Sequence, residues 1–216
     1  MEIKGDEDCQ LVLYKIISQL LSGECERDIL RVGEILNEYS ECFGEKRQDI
    51  LSLLSDMVIH VKCEGEVRGF LNKLREKLYD KKLRDEATLI LRELCSREIL
   101  DHLKGWGEDL EPSVRIAYLK CLLKLFDRGE VGVDYLVPLA EDPSPKVRLA
   151  LVSSLSIYAE REEVRKLFIE MLRRESRGEI RNLILEAISP KSRLRAPGNS
   201  DEKILNKIIK KLKKNT

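Results

Sequence analysis

Asp142-Pro143-Ser144-Pro145-Lys146-Val147-Arg148 reads as a turn that runs straight into the start of a helix. Proline in a first helical turn loses no needed hydrogen bond, and an Asp or Ser just before it can serve the free amides of that turn. Beyond the turn, Val147, Leu151 and Leu155 follow at intervals of four. That spacing places them on one stripe of an α-helix, and such a stripe must be covered by another element.

The phrase recurs in both directions. Val114-Arg115, with Tyr118 and Leu122, stands before it, and Ile180-Arg181, with Ile184 and Ile188, stands after it. The step from Val114 to Val147 equals the step from Val147 to Ile180. Leu83-Arg84 with Ala87 and Leu91 repeats the phrase again, and Lys46-Arg47 with Ile50 and Leu54 is a degenerate instance. A second turn, Glu108-Asp109-Leu110-Glu111-Pro112-Ser113, precedes Val114 as Asp142-Pro143 precedes Val147. A fixed period in this range marks a repeat architecture, in which each unit buries its apolar face against its neighbours. The expectation is an all-α solenoid.

The Asp-Pro turn followed by Val-Arg and spaced apolar residues resembles the centre of a HEAT repeat, strongly over residues 108–190 and more loosely from residue 27. The resemblance implies a right-handed α-solenoid of antiparallel helix pairs, with the second helix of each pair lining a concave face. It also implies a polar ladder between successive repeats, which would make Arg84, Asp109, Arg115, Asp142, Arg148 and Arg181 structural residues. The implied function is non-catalytic: a protein–protein interaction scaffold or regulatory subunit.

Breakers and periodicity predict five pairs: 26–40 with 46–60, 64–79 with 82–95, 97–104 with 113–127, 131–140 with 145–159, and 161–174 with 178–188. A capping helix is expected over residues 6–22. The solenoid would then occupy residues 1–190, a linker rich in Ser, Pro and Gly residues 191–200, and a basic amphipathic helix residues 201–216.

The formal charge of zero conceals an asymmetry. Residues 191–216 hold nine Lys or Arg against two acids, whereas residues 1–190 carry 30 bases and 37 acids, a net charge of −7. In the last helix Ile204, Leu205, Ile208, Ile209 and Leu212 form one stripe, and Lys207, Lys210, Lys211 and Lys214 lie among the polar positions. That helix can cap the last repeat, or its lysines can contact nucleic acid, an anionic membrane or a partner's groove. A nucleic-acid-associated protein is therefore the alternative reading.

No stretch reaches the roughly 20 apolar residues that cross a bilayer, and the acidic start MEIKGDEDCQ lacks a secretory pattern, so the expected compartment is the cytoplasm. Six cysteines, at 9, 25, 42, 63, 95 and 121, have neither zinc-site nor disulfide-framework spacing and read as buried reduced thiols. The two histidines, His60 and His102, fall in different helix pairs and outside any metal motif. No cofactor, metal or catalytic residue is expected. HEAT-like alkylpurine DNA glycosylases would need a basic concave face with aromatics around a displaced nucleotide, and an acidic body with 5% aromatics argues against that activity.

Candidate partner-binding residues remain. Trp106, the one tryptophan, lies between two glycines in a long connection. It is either an exposed anchor or a side chain folded back over the short helix 97–104, with the second reading favoured. Lys120, Lys124 and Glu186 occupy polar positions on second helices.

Overall fold

The computed structural model describes residues 12–14, 16–18, 20, 44–58 and 67–189. Every regular element among them is helical. The predicted helix 26–40, His60, the linker 191–200 and the basic helix 201–216 lie outside the described residues, as do cysteines 9, 25, 42 and 63. Of the predicted 6–22 helix, residues 12–14, 16–18 and 20 are helical. The chain divides into two compact units, Met1–Leu139 and Ala140–Thr216.

In the first unit α1 (Arg47–Asp56) buries Ile50, Leu53 and Leu54. Helix α2 (Val67–Tyr79) buries Phe70, Leu71, Leu74 and Leu78 at helical spacing and packs on α3 (Arg84–Leu94) and α5 (Pro112–Asp127). Between α3 and α5 stands α4 (Arg97–His102), a six-residue helix capped by Ser96, whose side chain accepts from the Ile99 amide at 3.3 Å. Helix α5 is covered on most of its circumference, because α2, α3 and the turn Trp106–Glu108 all pack on it. It ends in a Schellman motif: Gly129, with φ +71°, donates to the Phe126 carbonyl at 3.0 Å, and Glu130 to that of Leu125 at 2.8 Å. A residue with a Cβ would be strained at that left-handed position.

The predicted helix 131–140 is corrected. The chain instead makes a 3-10 turn, Val133–Tyr135, and then the single turn α6 (Val137–Ala140). Pro138 is the reason: it has no amide for the Asp134 carbonyl, and its ring crowds that oxygen in a continuous helix.

In the second unit α7 (Pro145–Leu155) is shorter than the predicted 145–159 and tightens into a 3-10 turn at Ser156–Tyr158. Helix α8 (Glu162–Arg174) buries Val164, Leu167, Phe168, Met171 and Leu172. Helix α9 (Gly178–Ile188) packs on both α7 and α8 through Ile180, Ile184 and Ile188.

The repeat stripe is thus the core. Leu83, Ala87, Leu91, Val114, Leu122, Val147, Leu151, Leu155, Ile180, Ile184 and Ile188 are all buried. Tyr118, the largest side chain on the stripe, is only half-buried and lies over Gly107, where a Cβ would meet its ring at 3.1 Å. Glycine at 107 makes room for the oversized residue.

The reading of all cysteines as reduced thiols is also corrected. Cys95 and Cys121 form a disulfide with a Cα–Cα separation of 5.4 Å. Cys95 follows the last residue of α3, Cys121 lies midway along α5, and the packing of these helices brings together residues 26 apart in sequence.

Candidate functional site

The polar residues of the repeats converge on the turns before each second helix. Arg84 Nε donates to the Leu78 carbonyl at 3.1 Å, and Arg115 Nη1 donates to that of Asp109. Arg148 Nη1 reaches the Asp142 carbonyl at 2.7 Å, and Arg181 Nη1 reaches that of Glu175 at 2.9 Å. In every case the acceptor stands six positions before the arginine. Arg181 also takes the Leu172 carbonyl at 2.7 Å. These carbonyls lie at helix ends or in turns, where no further helical amide is available to them.

Carboxylates complete the rungs by accepting from the amide two positions on. Asp80 takes Lys82 at 2.8 Å, Asp109 takes Glu111 at 2.8 Å, Asp142 takes Ser144 at 2.7 Å and Glu175 takes Arg177 at 2.9 Å. Glu175 was not singled out in the sequence, yet it follows Asp142 by the same interval that separates Asp142 from Asp109. Reading the position as acidic, rather than as Asp, would have found it.

Two of these carboxylates bear further partners. Arg148 forks onto Glu175 through Nε at 2.7 Å and Nη2 at 3.0 Å. The Arg148 fork holds the Glu175 carboxyl below its ordinary pKa against the opposing effect of burial, and the amides of Arg177 and Ser176 add to it. Asp109 accepts from Arg75 Nε at 2.7 Å and from the Tyr79 hydroxyl at 3.1 Å. Burial alone would raise the Asp109 pKa, but the Glu111 amide, Arg75 and Tyr79 outweigh it and the pKa is lowered. Neither Arg75 nor Tyr79 belongs to the repeated phrase, and no spacing signals them.

A second group lies where α3 meets α5. Lys124 Nζ donates to the Glu93 carbonyl at 2.6 Å and to Glu93 Oε2 at 3.3 Å, and Arg92 Nε lies 3.4 Å from Glu93 Oε1. Lys120, one helical turn before Lys124 on the same face of α5, is half-buried, and Arg128 is exposed one turn beyond. Burial, then the neighbouring Arg92, pushes the Lys120 pKa down. For Lys124 burial also lowers it, with Glu93 opposing. Arg92, Lys120, Lys124 and Arg128 thus form a cationic group, with Glu93 bound to two of its members.

The other candidates do not join this cluster. Trp106 is 4% exposed, which rules out the presented anchor and agrees with the favoured reading of a side chain folded back on the body: it opens the turn packed on α5. Glu186 is exposed on α9, and His102 is exposed in the last turn of α4. Lys207, Lys210, Lys211 and Lys214 lie outside the described residues. Among the described residues no group of three His, Cys, Asp or Glu is placed to hold a metal ion, and no helix is long and apolar enough to cross a membrane.

The turns, the arginine rungs and the buried stripes together define an all-helical repeat protein. Residues 106–189 match the family model for HEAT repeats. Neither a curated protein nor a solved structure matches the chain. HEAT repeats generally mediate protein–protein interaction and are typically non-enzymatic.

Proposed function

We propose that this chain is a non-catalytic scaffold or regulatory subunit that binds a protein partner through the second helices of its repeats. In this reading residues 1–190 act as one HEAT-like α-solenoid in the cytoplasm, and the ladder residues hold the repeats in register. The observation that carries the reading is the cationic face of α3 and α5. Arg92, Lys120, Lys124 and Arg128 gather there although residues 1–190 carry 30 bases against 37 acids. Such a face favours an acidic segment of a partner, because complementary potentials steer encounter and fix register.

Affinity capture from a lysate of the source organism, with and without nuclease, tests this. The full chain should recover the same protein under both conditions, and Arg92→Glu with Lys120→Glu should lose it while Glu186→Lys keeps it. A second reading rests on the nine bases against two acids in residues 191–216. Under that reading recovery depends on nuclease or disappears on deleting those residues, and binding falls steeply with salt. That result would replace the scaffold reading.

A further inference from the structure

The Cys95–Cys121 pair joins the same two helices that carry the cation cluster, and it plays no part in the repeat ladder. Its two ends sit in unlike places. Cys121 is wholly buried in the middle of the sixteen-residue α5. Cys95 is 2% exposed, but it has left the helix (φ −59°, ψ 122°) and begins the two-residue joint from α3 to α4. Helix α4 has six residues, and Ile99 is its one buried side chain. So short a helix, with so little buried, opens locally at low cost. Opening there uncovers Cys95 and leaves Cys121 in place.

The attacking species in thiol–disulfide exchange is the thiolate, and neighbouring cations stabilise it. Lys120 precedes Cys121 and Lys124 follows it by one helical turn, while Arg92 stands one turn before Cys95. Lys124 already ties the Glu93 carbonyl to α5 without a covalent bond, two positions before Cys95. The disulfide ties the same two helices covalently.

We propose that Cys95 and Cys121 form a reversible redox clasp, closed by exchange with a small-molecule disulfide that enters at the α3–α4 joint. The Cys95 thiolate attacks the small disulfide, forming a mixed disulfide and releasing one small thiolate. The Cys121 thiolate then attacks Cys95 Sγ, closing the protein disulfide and releasing the second. The two protein thiols give up two electrons and two protons, and the small disulfide becomes two small thiols. Closure locks α3 to α5, and with them the face that bears Lys120 and Lys124; reduction leaves the two helices held by packing and by the Lys124–Glu93 tie.

Full-length protein equilibrated in graded ratios of reduced to oxidised glutathione, acid-quenched, alkylated and peptide-mapped, tests the clasp. The Cys95–Cys121 linked peptide should appear as a two-electron transition, with the thermal midpoint rising in step by roughly 7–14 °C. The midpoint of Cys95→Ala/Cys121→Ala should ignore the ratio. Cys121→Ala alone should accumulate glutathione on Cys95. The clasp is overturned if both cysteines stay alkylatable at every ratio, if Cys95 links to a different cysteine, or if the midpoint does not follow the linkage. Should the double variant fail to fold, the wild-type titration still decides. Capture of glutathione on Cys121 rather than on Cys95 in the single variants would overturn the route through the joint.

Discussion

The turns at Asp109 and Glu175 perform the same task with different side chains. Each has an arginine six positions on that takes the backbone carbonyl, and each has a carboxylate that takes the amide two positions on. The further partner differs. Glu175 is gripped by the Arg148 fork, with side chains 2% and 16% exposed, whereas Asp109 is held by Arg75, whose side chain is 40% exposed, and by Tyr79. The backbone rung is therefore what the repeat copies. The carboxylate's outer partner is supplied by whichever residue lies near.

This contrast orders the expected effects of substitution. The largest concerns the stripe common to all repeats. Val147→Asp or Leu151→Asp places a charge where exposure is 0%. Each should cost on the order of 5 kcal/mol and remove the cooperative transition seen by circular dichroism. An unchanged thermal transition in either variant would show that the repeat register is wrong.

Arg148→Ala should rank next, at about 3 kcal/mol by urea denaturation, because it removes the two-pronged ion pair and leaves the nearly buried Glu175 carboxylate only the Arg177 and Ser176 amides. Arg75→Ala should cost only about 1 kcal/mol, since Asp109 keeps Tyr79 and the Glu111 amide. Equal losses in the two variants would erase the distinction between the turns.

Acid should weaken both turns. Glu175 and Asp109 have lowered folded-state pKa values, so each adds stability that is fully present above the unfolded value of about 4. That stability is lost as pH falls through the depressed folded pKa. Urea midpoints measured from neutral pH to about pH 2 should therefore fall below about pH 4, and Glu175→Gln should make the fall shallower. An identical acid limb in that variant would mean the carboxyl is not held as described.

An effect of similar size to that of Arg75→Ala belongs to the Trp106 turn. Gly107→Ala drives a Cβ against the Tyr118 ring and should cost about 1–2 kcal/mol. Tyr118→Leu in the same chain should recover most of that loss, since it clears the ring. If the double variant is no more stable than the single one, the pressure on Gly107 comes from elsewhere.

Much of this arrangement was legible in the residues themselves. Helix type, the even repeat period, the buried stripe and the positions of Arg84, Arg115, Arg148 and Arg181 all follow from local spacing, and local spacing is what an α-helix reads. The break in 131–140 was legible too, in Pro138, but the apolar periodicity concealed it. Glu175 was masked because a glutamate stands where an aspartate was sought.

Other features had no local signal. Arg75 and Tyr79 meet Asp109 across 34 and 30 residues, Lys124 meets Glu93 across 31, and Cys95 meets Cys121 across 26. A sequence determines what lies within a turn or two of helix, since those distances are set by the backbone. Which side chains meet across separate helices depends on the packing of the helices that carry them, and only the tertiary structure decides it.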